Sequence, residues 1–80
     1  MKLYKLTQTK RTAYDTYDSA IVCAENEEDA QLILPSTACK WDEGCLGSWA
    51  DKPEQVKVKE IGKANKNQKK GVILASFNAG

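Results

Sequence analysis

The sequence predicts an α+β fold: a mostly antiparallel four-stranded sheet with one short helix on one face, in the order β-β-α-β-β. Three observations predict it. Four apolar or alternating runs have strand character, a capped acidic segment with helical spacing separates the second from the third, and 80 residues suffice for one domain with a thin core. Residues 1–80 are therefore taken as a single domain, with a long Trp- and Cys-containing loop at 36–53.

The first strand covers residues 2–8, where Leu3, Tyr4 and Leu6 stand among polar neighbours, and the polar run 10–15 turns the chain. Residues 17–24 supply the second strand. Ser19-Ala20-Ile21-Val22-Cys23-Ala24 is a short apolar run with β-branched members, so burial on both faces is expected. Asn26 then stands as an N-cap, and Glu27, Glu28 and Asp29 put negative charge against the positive end of the helix dipole. Ala30, Ile33 and Leu34 share one helical face and Pro35 stops the helix after about two turns.

Val56 and Val58 alternate with Lys57 and Lys59, the pattern of a strand with one dry and one wet face, and the lysines suit a sheet edge. After the polar connection 62–71 comes Gly71-Val72-Ile73-Leu74-Ala75-Ser76-Phe77, the most apolar strand, expected at the centre of the sheet. Strict alternation puts Val72 and Leu74 on one side and Ile73, Ala75 and Phe77 on the other. A single short helix covers one side only. The other needs the tryptophan loop, a second copy of the chain or a foreign partner, and Trp41 and Trp49 are the expected lid for part of it.

Charge is sorted along the chain. Residues 1–12 carry four basic groups and no acid, 13–51 nine acids against Lys40, and 52–80 seven lysines against Glu54 and Glu60. Such sorting favours separate acidic and basic surfaces, and hence binding over chemistry. With no histidine the commonest general base and metal ligand is missing, and Cys23, Cys39 and Cys45 show no CxxC spacing, so no catalytic residue, metal or cofactor is assigned. No stretch approaches a membrane span and the start lacks the apolar block of a secretory signal, which suggests the cytoplasm and no membrane partner.

Two constellations are candidate sites. Tyr14, Asp15, Tyr17 and Asp18, joined by Glu28, Trp41 and Trp49, form a candidate protein-binding surface of acids and aromatics; the same Tyr-Asp pairs also read as a plain turn, and the acids at 27–29 as a helix start. Lys63, Lys66, Lys69 and Lys70 form a candidate nucleic-acid contact. They lack interleaved aromatics and arginine, and a solvated connection that protects strand edges is the alternative.

Tyr14-Asp15-x-Tyr17-Asp18-Ser19, Ala24-Glu25-Asn26-Glu27-Glu28-x-Ala30, Pro35, Ile61-Gly62-x-Ala64 and the closing Ser76-Phe77-Asn78-Ala79-Gly80 resemble a group of small uncharacterised proteins encoded in bacteriophage and prophage genomes. The tryptophan loop with Cys39 and Cys45 departs from the group's pattern. The resemblance implies a protein made in a bacterial cytoplasm, of a kind that often inhibits a host machine, CRISPR effectors and other defence systems included. It brings no catalytic residues. The expectations are, in order, an anti-defence inhibitor that binds a host protein or protein–nucleic-acid complex, a nucleic-acid-binding accessory protein, and a thiol or zinc protein; a homodimer through the uncovered sheet face or an edge strand is a further expectation.

Overall fold

The computed structural model describes residues 1–9, 16–36, 41, 49–50 and 52–78, the last two by backbone alone. The expected class is found: a four-stranded antiparallel sheet with one short helix between its second and third strands. The elements are β1 (Lys2–Thr7), β2 (Thr16–Ala24), α1 (Glu27–Gln31), a 3-10 turn at Pro53–Gln55, β3 (Lys57–Lys63) and β4 (Gly71–Asn78).

Strand order is β3-β1-β2-β4, which corrects the expected central place of the last strand. β1 and β2, neighbours in the chain, pair with Tyr4 opposite Val22 and Leu6 opposite Ala20. β3 takes the free side of β1, so β4 is left the free side of β2 and lies at an edge. An apolar run fits an edge strand covered only in part as well as a central one, and no side chain described in β4 is fully buried.

Helix α1 begins as the sequence predicts. Asn26 is extended and its Oδ1 accepts the Asp29 N–H at 2.8 Å, with Glu27, Glu28 and Asp29 in the first turn. The helix is shorter than two turns, ending at Gln31, and the Leu32 and Ile33 N–H groups close it with tighter bonds to the Asp29 and Ala30 carbonyls at 3.2 and 3.1 Å. Ile33 and Leu34 still pack on the core from beyond its end. Gln31 Nε2 donates to the Val56 carbonyl at 3.3 Å and ties the helix to the entry of β3.

The core joins Tyr4 and Leu6 of β1, Ala20, Val22 and Ala24 of β2, Ala30 of α1, and Trp49, Ala50 and Val56. Four of these are alanines, and small side chains leave the volume that a bulky indole requires. Trp49 is fully buried and Trp41 packs beside the same cluster, its Nε1 donating to the Leu32 carbonyl at 3.2 Å. Both indoles thus lie on the helix side, a correction to the expectation that they cover the opposite face. β2 is buried on the helix side at Ala20, Val22 and Ala24, and on the other side fully at Cys23 but only in part at Ile21.

Strict alternation also fails in β4. Leu74 faces Ile21 and Val72 faces Val22, so Ile73 is an extra residue and Val72 and Leu74 fall on opposite faces of the sheet. A second irregularity sets Ile61 of β3 outside the pairing between Gly62–Leu3 and Glu60–Tyr4, and a third does the same for Asp18 of β2 between Tyr17–Phe77 and Ser19–Ser76.

Candidate protein-binding surface

Residues opposite one another in antiparallel strands share a face, so the register draws the side of the sheet away from α1. One row across it is Lys59, Lys5, Ile21, Leu74, and a second is Lys57, Thr7, Ser19, Ser76. The face therefore grades from basic at β3 to uncharged at β4, apolar in the Ile21–Leu74 row and hydroxyl-bearing in the Ser19–Ser76 row. Lys5 and Lys59 stand directly opposite, an arrangement that costs stability unless an anion is near. In the third row Leu3 faces Cys23, a buried, unbridged thiol whose Sγ lies 3.9 Å from Met1 Sδ.

The apolar end of this face continues onto the edge. Leu74 is 66% exposed, Ile73 44% and Val72 39%, three consecutive aliphatic side chains in a strand that holds no charge. Each would be favoured by burial, at about 25 cal/mol per Å² of apolar surface. Among the described residues no strand pairs with the outer side of β4, leaving that side's N–H and C=O groups without a strand partner.

The acidic and aromatic constellation is dispersed. Trp49 is in the core, and Trp41 and Tyr17 pack against it. Asp18 and Glu28 are exposed. Asp18 lies near the start of β2 and Glu28 just past its end, about 20 Å of strand apart at some 3.3 Å per residue. Tyr14 and Asp15 lie outside the described residues, as do Cys39 and Cys45. Gln8 Nε2 donates to the Tyr17 carbonyl at 2.8 Å, holding the start of β2 against the end of β1.

Lys63, Lys66, Lys69 and Lys70 are all exposed on β3 and the connection to β4, which turns where Gln68 N–H donates to the Asn65 carbonyl at 2.9 Å. Lys70 is drawn to the helix, its Nζ 3.7 Å from Asp29 Oδ2. Here the acidic and basic blocks of the sequence meet in space, instead of forming wholly separate surfaces. At the β3 edge, Lys2 Nζ donates to Glu60 Oε1 at 3.0 Å, and this hydrogen bond, followed by the charge of Glu60, raises the lysine above its ordinary 10.5.

Among the described residues no pocket forms, no group of three Cys, Asp or Glu side chains is placed to hold a metal ion, and no helix is long and apolar enough to cross a membrane. Sequence reasoning missed the edge position of β4 because it placed that strand centrally. The usable signal was the contrast between the uncharged 71–78 and the lysine-rich 57–63. No family model, curated protein or solved structure matches the chain.

Proposed function

We propose that this chain is a non-enzymatic protein-binding module that holds its partner through the apolar edge strand β4 and the open sheet face beside it. The observation that carries the reading is the run Val72-Ile73-Leu74, exposed at 39, 44 and 66% on a strand whose outer side pairs with no strand among the described residues. Main-chain pairing along such an edge gives affinity, and alternate side chains give selectivity. The lysines at the far end of the face favour a partner whose complementary surface is apolar and acidic.

The resemblance to bacteriophage and prophage proteins supports a finer proposal. The partner is a host protein or protein–nucleic-acid complex in the bacterial cytoplasm, and the module inhibits a host or defence machine in the manner of an anti-CRISPR protein. Of the acidic and aromatic surface, Asp18 and Glu28 remain as exposed contributors. Capture from a bacterial lysate tests the reading. Wild-type chain should retain one host complex, Leu74→Lys should release it, and Asp18→Lys with Glu28→Lys should weaken capture less. Retention of the complex by Leu74→Lys removes β4 from the proposal.

A second reading, a nucleic-acid-binding accessory protein, is favoured by the exposure of Lys63, Lys66, Lys69 and Lys70 together with Lys5, Lys57 and Lys59 on the open face. It requires a gel shift at low salt that Lys66→Glu with Lys69→Glu abolishes. A chain that shifts no nucleic acid under those conditions ends it.

A further inference from the structure

We infer that two copies of this chain join edge to edge through β4, antiparallel about a two-fold axis, into one continuous eight-stranded sheet. The inference rests on the proposed role of β4 as the binding edge and names a second copy as the occupant of that edge in the free protein, which a host partner displaces.

The two outer strands, unpaired on their outer sides among the described residues, differ in whether they tolerate their own copy. Pairing β3 with itself about its midpoint sets Lys57 against Lys63 and Glu60 against Glu60, like charges face to face. β4 has no charged residue from Gly71 to Asn78, so the same operation opposes no charges and brings aliphatic side chains together. It also closes, because a two-fold contact uses the same surface on both copies and leaves no further apolar edge to propagate a filament.

Charge complementarity selects the antiparallel sense. β4 starts opposite Cys23, near the end of β2, and finishes opposite Thr16, near its start, where Asp18 is exposed. An antiparallel neighbour carries Lys69 of one copy to the Asp18 end of the other, two strands and hence about 10 Å away, within reach of a long side chain. Symmetry makes this contact twice, whereas a parallel neighbour would gather the lysines of both copies at one end. Registers that match the faces of the two strands hold Leu74 opposite the partner's Leu74 or one diagonal place from it.

One shared strand edge buries less than the roughly 800 Å² per partner of a standard interface, so the dimer is weak and concentration-dependent. Sedimentation equilibrium of the full chain, from low micromolar to millimolar, should show the mass climb from one copy toward two. Leu74→Lys should hold it at one copy with an unchanged circular-dichroism spectrum. Mixing Leu74→Lys with Leu74→Glu should restore the dimer that each alone has lost, and Lys59→Glu on the opposite edge should leave wild-type association intact.

One copy at every concentration overturns the inference, as does a dimer that survives Leu74→Lys or an assembly that grows past two. Lysate capture separates these failures from failure of the functional reading. A monomer that still loses its host complex on Leu74→Lys overturns the dimer and spares the binding edge; a β4 dimer that captures nothing supports the dimer and removes the function.

Discussion

The two faces of the sheet spend the same kinds of residue in opposite ways. Toward α1, Tyr4, Leu6, Val22 and Trp49 are at most 2% exposed, sealed by one short helix and the indole. Away from it, Ile21 is half buried and Leu74 is 66% exposed, though both are large and aliphatic. The edges repeat the asymmetry. Each carries a register irregularity with an exposed isoleucine, Ile61 at 46% in β3 and Ile73 at 44% in β4, but β3 surrounds its own with charge and β4 does not. Edge strands are ordinarily defended by lysines and bulges together. β4 has the irregularity without the lysines.

The largest expected effect sets the two faces directly against each other. Leu6→Ala, at a fully buried position between Ala20 and Val58, should cost about 2–5 kcal/mol, much of the roughly 4–12 kcal/mol available to a chain of this length. Leu74→Ala should stay within about 0.5 kcal/mol when unfolding is followed at dilute concentration. Equal losses in urea denaturation would break the comparison.

Next come the glycines of the two edges. Gly71 opens β4 at φ 138°, a region that L side chains rarely enter, so Gly71→Ala should destabilise by about 1–3 kcal/mol. A Cβ at Gly62 of β3 meets nothing within 4 Å, and Gly62→Ala should prove neutral or slightly stabilising by the same thermal-unfolding measurement.

Asn26→Ala removes the cap of the helix that seals the covered face. A loss of about 1 kcal/mol is expected, and Asn26→Asp should recover most of it, since either side chain accepts the Asp29 N–H.

The smallest effect belongs to the β3 edge. Lys2 is raised above 10.5 by Glu60, so its contribution is complete below that pH and fades as pH climbs through the raised value, where the folded chain gives up a proton it had held more tightly than the unfolded one. Both side chains are about half exposed, which keeps the effect small. Stability measured against pH above ten should lose this dependence in Glu60→Gln.

Much of the fold was legible locally. Asn26 and the three acids after it announce the start of α1, and Val56, Lys57, Val58 and Lys59 announce an edge strand, because caps and alternation act within a few residues. The candidate site was legible in composition but not in place. The sequence points to Trp49 as a lid on the face away from the helix and a member of the binding surface, and it is a core residue on the helix side; nothing in its neighbourhood of sequence says that it clusters with Ala20, Ala24 and Ala30, distant along the chain. Tyr17 packs inward where the extra residue Asp18 interrupts the pairing with β4, a feature that exists only once the two strands are aligned.

By itself the sequence determined the kinds of element and their order along the chain, the helix cap, and which strand would be charged and which apolar. Only the tertiary structure decided that β4 lies at an edge, that Ile73 and Ile61 fall outside the pairing, and that both indoles join the helix side. The division has a physical origin. Hydrogen bonds of a cap or a turn are satisfied among near neighbours, whereas a strand's place and register depend on which distant backbone is still unpaired when it arrives and on which cavity its side chains can fill.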